Sequence, residues 1–176
     1  TGGTAPYTGT GVFGNLGAGS YTYTVTDANG CTATVSVTIT EPSQLLLTAQ
    51  AGTIVCNGGT TSVTLSATGG AQPYTYSGTT TNLTAGTYNF GVTDANGCSA
   101  AASVTITQPS PITATSTPTN VTCNGANNGS VVITPTGGTP GYTVTPAQTG
   151  LAAGNHTFTI TDAKGCTATT SVTITQ

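Results

Sequence analysis

The chain has 176 residues with one Lys, no Arg, four acids and one His, and its formal charge is −3. Groups able to act as acid, base, metal ligand or phosphate clamp are therefore nearly missing. Lys164 alone cannot displace the counterions a nucleic acid would require, and no apolar run approaches the ~20 residues of a membrane span.

Thr makes up about a quarter of the residues. Together with Val, Ile and Tyr it favours strands, which Gly, Asn and Pro punctuate, so the composition is all-β. From the N-terminus, a turn TGGTAPYT (1–8) precedes a strand in which Tyr21, Tyr23 and Val25 alternate with Thr. The turn TDANGC (26–31) follows, and then a second strand with Ala33, Val35, Val37 and Ile39 on one face. Alternation at period two predicts half-buried strands, and Asp27 with Gly30 marks a tight hairpin in which Gly supplies positive φ. Next come a strand with Val63, Leu65 and Ala67, a short one at Tyr74 and Tyr76, and a second hairpin. That hairpin pairs Tyr88, Phe90, Val92 with Ala100, Ala102, Val104, Ile106 around Asp94 and Gly97. The C-terminal third repeats the series: Val131, Ile133, Pro135, then Tyr142, Val144, then His156, Phe158, Ile160 with Ala168, Thr170, Val172, Ile174 around Asp162 and Gly165.

The series is one unit copied in tandem. TDANGC recurs at 93–98 and as TDAKGC at 161–166, TGGTAPYT returns as TGGAQPYT and TGGTPGYT, and VCNG (55–58) returns as TCNG (122–125). The step is about 67 residues, which reads as a repeated small domain and not one enzyme with one site. Residues 1–41 are expected to be the back half of a first copy, 42–109 a second and 110–176 a third, so that the chain is a piece of something longer. About seven short strands per copy suit an immunoglobulin-like β-sandwich, and the copies are expected to lie end to end. The predicted core aromatics are Phe90 and Phe158, with Tyr21, Tyr88 and His156 at one shared position near a sandwich corner.

So thin a core gives covalent staples a large role. Cys31, Cys56, Cys98, Cys123 and Cys166 include no C-x-x-C, and with a single His a zinc site is disfavoured against disulfides formed in an oxidising compartment. Pairing within a copy, Cys56 with Cys98 and Cys123 with Cys166, is the simplest arrangement and carries the most weight. A head-to-tail stack would instead bring the lower turn of one domain to the upper turn of the next and join Cys56 to Cys166. Free thiols are the third reading.

The order CNG, an Asn/Gly turn, a Val-rich strand, TGGxxPYT, LxAGxY, TDANGC and TATxSVTIT with Glu-Pro or Gln-Pro resembles the SprB repeat of Bacteroidetes cell-surface proteins, tandem adhesin repeats first associated with gliding motility. It runs through Cys56, Asn57, Gly58, Gly69, Gly70, Pro73, Tyr74, Leu83, Gly86, Tyr88, Asp94, Gly97 and Cys98, and through their third-copy counterparts. Two departures are Gly141 in place of Pro and His156 in place of Tyr. The resemblance implies secretion by the type IX route and display at the cell surface as a filament or adhesin stalk, with neighbouring repeats and other copies as partners.

The remaining features favour structure over chemistry. His156 lacks a catalytic partner, and packing with one hydrogen bond is its expected role. Asp27, Asp94 and Asp162 are expected to accept backbone N–H groups, with calcium the lesser reading because one carboxylate per turn supplies little hard-oxygen charge. No cofactor is expected. The outward Thr faces read as β-forming polar surface, with glycosylation as the alternative, and the turns GGAQPY and GGTPGY could bind surface glycans or a protein. Few charges are left to guard sheet edges, so end-to-end association is expected to be easy.

Overall fold

The computed structural model describes residues 2–176, which form thirteen strands and no helix. In the first copy β1 (Gly19–Thr26) pairs with β2 (Thr32–Ile39) in an antiparallel hairpin whose register runs from Gly19 opposite Ile39 to Thr26 opposite Thr32. The second copy has β3 (Leu46–Ala51), β4 (Val63–Thr68), β5 (Thr75–Ser77), β6 (Gly86–Thr93) and β7 (Ser99–Ile106). The third has β8 (Thr113–Thr119), β9 (Gly129–Thr136), β10 (Thr143–Thr145), β11 (Thr149–Leu151), β12 (Gly154–Thr161) and β13 (Thr167–Ile174).

Each of these two copies is a small two-layer sandwich. In the second, β3–β4 faces β5–β6–β7; in the third, β8–β9–β11 faces β10–β12–β13. The copies thus have five and six strands where about seven were expected, because segments such as 52–62 run as turns without a ladder of their own.

Period-two alternation places the core. Leu45, Leu47, Val63, Leu83, Phe90, Val92 and Ile106 are buried together in the second copy, and Val131, Ile133, Leu151, Phe158, Ile160, Val172 and Ile174 in the third. Phe158 is fully buried and Phe90 is 3% exposed, whereas their neighbours Thr157 and Asn89 face solvent. Two strand predictions need correction. Tyr76 is 45% exposed because β5 is only three residues long, and the apolar face of β2 is open, with Val35 55% and Val37 46% exposed. Among the described residues of the first copy no strand pair corresponds to β3–β4, and Phe13 stacks against that face on Tyr23.

Candidate functional site: the junction between repeats

The turn chemistry is the same in all three copies. The hairpin Asp94 takes N–H donations from Asn96 and Cys98 on Oδ1, both at 2.9 Å, closing its own turn. Its Oδ2 accepts the N–H of Ala71 at 2.9 Å, which ties the TGGAQPY loop to the hairpin. Asp162 repeats this with Lys164, Cys166 and Thr139, and Asp27 with Asn29, Cys31 and Thr4. Two motifs about 23 residues apart in sequence therefore meet at one carboxylate. These donors hold all three carboxyls below the usual 3.8, the largest effect coming from the loop N–H of Ala71, Thr139 or Thr4, while desolvation pulls the other way. Each carboxylate is spent on backbone N–H groups, and among the described residues no cluster of three His, Cys, Asp or Glu forms around any of them.

The second Gly of each TGG is dictated by this clasp. Gly70 has φ +58°, and a Cβ there would lie 2.6 Å from Asp94 Oδ2; at Gly138 the corresponding values are +57° and 2.7 Å. The hairpin glycines Gly30, Gly97 and Gly165 have φ of 80–84° with open space around them, so only the backbone conformation demands Gly. The hydroxyls of Tyr74 and Tyr142 donate to the carbonyls of Gly69 and Gly137, anchoring the loop from its other end.

At the opposite corner, Tyr21 donates to the Gly17 carbonyl at 3.0 Å and Tyr88 to that of Thr84 at 3.1 Å. His156 Nε2 lies 2.8 Å from the Ala152 carbonyl, again four residues back. All three side chains are half-buried at the rim, below the buried Phe90 and Phe158.

The cysteines depart from the favoured pairing. A disulfide joins Cys56 to Cys166, with Cα atoms 5.5 Å apart, so it crosses from the second copy to the third; Cys31, Cys98 and Cys123 are free and exposed. Strand length explains why Cys56 does not meet Cys98. Asn57 Nδ2 donates to the Pro109 carbonyl at 2.9 Å and the Gly58 N–H to Gln108 Oε1 at 2.8 Å, which fixes the CNG turn just beyond the C-terminal end of β7. Cys98 precedes the first residue of that same eight-residue strand, roughly 26 Å away. The next copy presents the start of β13, with Cys166, at the end where Cys56 lies.

A crevice of about 380 Å³ marks this junction, lined by Cys56 and Asn57 on one side and Gly138, Asp162, Cys166 and Ala168 on the other. Sequence reasoning named the cysteines but passed over Asn57, Gly58, Gln108 and Pro109 as junction residues. Their signal was the recurrence of CNG at 56–58 and 123–125 and of Glu-Pro at 41–42 as Gln-Pro at 108–109, which local turn chemistry alone would not require.

The model of the SprB repeat family matches residues 115–145, from β8 through β10. Over those residues the chain is similar to an SprB repeat. This family is a structural repeat associated with cell-surface adhesins. The matched stretch includes Gly137, Gly138 and Tyr142 of the clasped loop, and the same residues recur one period earlier as Gly69, Gly70 and Tyr74. Comparison with curated proteins gives no match.

Proposed function

We propose that the chain is a non-catalytic stretch of an extracellular filament or surface-adhesin stalk, in which 1–41, 42–109 and 110–176 are successive units and neighbours are covalently coupled. The observation that carries this reading is the Cys56–Cys166 bond, because it spans two hydrophobic cores and not one. A staple within each copy would make independent beads; a staple between copies makes the junction itself resist bending and extension. The linker supports this, since Gln108 and Pro109 are held by the Asn57–Gly58 turn.

The carrier of load is then the backbone ladder plus the disulfide, consistent with a surface almost free of charge and rich in Thr. An enzyme has no base, nucleophile and acid set to work with: the three turn carboxylates are engaged by backbone, and His156 is engaged at the rim. Secretion to an oxidising exterior fits a stable disulfide. Non-reducing digestion followed by mass spectrometry tests the reading: a cross-linked peptide pair holding Cys56 and Cys166 supports it, and pairs holding Cys56 with Cys98 and Cys123 with Cys166 overturn it.

A further inference from the structure

We infer that Asn57 is a deamidation site whose reaction is held off while the junction is closed and, once it has occurred, prevents the junction turn from seating again. The inference rests on the coupled-rod reading above and adds a covalent route by which a junction loosens without cutting the chain. Asn–Gly steps occur at 29–30, 57–58, 96–97, 124–125 and 128–129. Such a step is chemically weak because glycine has no side chain to keep its backbone nitrogen away from the preceding amide carbon.

At 57–58 both reacting groups are held, and by distant partners. Asn57 Nδ2 donates to the Pro109 carbonyl at 2.9 Å across a sequence separation of 52, and the Gly58 N–H donates to Gln108 Oε1 at 2.8 Å across 50. Asn57, Gly58 and Gln108 are all exposed, so water reaches the step. At Asn96 the restraint is local: the Gly97 N–H bonds to the Asp94 carbonyl at 3.1 Å and the Asn96 N–H to Asp94 Oδ1 at 2.9 Å, within one hairpin turn. Freeing the junction turn from the linker therefore exposes Asn57 to reaction and leaves Asn96 as it was.

The chemistry needs only water. The freed Gly58 nitrogen gives its proton to solvent base and attacks Asn57 Cγ; the N–Cγ bond forms as the Cγ–Nδ2 bond breaks, and Nδ2 leaves as ammonia with a proton from water. Water then opens the five-membered ring, giving Asp when the N–Cγ bond is cut and isoaspartate when the nitrogen's bond to the main-chain carbonyl of residue 57 is cut. No electrons are exchanged. Neither product fits the closed junction. Asp sets a carboxylate oxygen against the Pro109 carbonyl where Nδ2 had donated, and isoaspartate adds a methylene to the backbone between Cys56 and Gly58, drawing the Gly58 N–H off Gln108. The Cys56–Cys166 bond is untouched, so the staple remains while the turn beside it comes loose.

The test holds the folded, oxidised chain, its free thiols alkylated, in mildly alkaline buffer and follows Asp and isoaspartate at each Asn–Gly step by peptide mapping and mass spectrometry. Asn57 should react about tenfold more slowly than in a chain carrying Gln108→Ala, the factor that one ordinary hydrogen bond supplies. Gln108→Glu keeps an acceptor oxygen and should keep the protection, and Asn96 should react at one rate in all three chains. Equal rates at Asn57 with and without Gln108→Ala, or an equal acceleration at Asn96, would overturn the gating. Asn57→Asp carries the product from the start, and hydrogen exchange at the Gly58 N–H should rise about tenfold in it; unchanged exchange would show that the product still seats and would overturn the release. The same digest separates the two levels: a Cys56–Cys166 peptide with an unprotected Asn57 defeats the gating alone, whereas absence of that peptide defeats the coupled-rod reading beneath it.

Discussion

The hairpins β1–β2 and β12–β13 have nearly the same sequence, the same antiparallel pairing and the same aspartate clasp, yet β12–β13 buries its apolar face while that of β1–β2 is only partly covered. Phe158 is fully buried, whereas Tyr23 at the equivalent position is half-buried, stacked on Phe13 with ring centroids 4.1 Å apart. The Tyr23 hydroxyl is buried without a partner. Turn and hairpin geometry are thus written locally, by Asp, Gly and alternation. The hydrophobic contribution comes only when a strand pair such as β8–β9 lies across the face, because burial needs a second layer.

Truncating the aromatic should separate the two regions most. Phe158→Ala should cost about 3–5 kcal/mol, as expected when a fully buried aromatic leaves a cavity, and Tyr23→Ala about 1 kcal/mol, the scale of a lost aromatic stack. Urea titration of each variant by circular dichroism checks this; equal losses at the two sites would break the contrast between covered and partly covered hairpins.

A smaller effect sharpens the claim that turn geometry is local. Gly97→Ala meets only an unfavourable φ and should cost about 1–2 kcal/mol, while Gly70→Ala also drives a methyl into Asp94 and should cost roughly twice that or more. Thermal midpoints of the two variants give the order, and a harmless Gly70→Ala would show that the loop is not pinned to the carboxylate.

Acid should produce the smallest change, and one shared by all three copies. Asp27, Asp94 and Asp162 have carboxyls held below 3.8 in the folded chain, so their contribution is fully present above the unfolded value and is lost as pH falls through the folded one. Stability should therefore be flat from neutral pH to about 5, where unfolded aspartates remain ionised, and decline below about 4. Asp94→Asn and Asp162→Asn should each lower the plateau and flatten the acid limb of a denaturation-versus-pH series.

Much of this was readable from the residues. The alternation of Phe90, Val92 and Ile106 placed the core, and the Asp-x-x-Gly turns placed the hairpins, because both depend on near neighbours in sequence. The expected strand at Tyr74 and Tyr76 shortened to β5, since Gly78 and the anchoring of Tyr74 to Gly69 end it early. Disulfide pairing stayed open because it depends on which end of β7 each turn occupies, a three-dimensional fact that residue spacing does not carry. Likewise the meeting of Ala71 with Asp94 joins two motifs whose repetition was visible but whose contact was not.

Pulling a single chain by its ends, with and without reductant, tests the coupled rod most directly. The bond between Cys56 and Cys166 encloses a sequence separation of 110 residues, so the oxidised chain should withhold that segment, and reduction should add roughly 360–400 Å of contour length. The same final length in both conditions would contradict a staple that carries load from one repeat to the next.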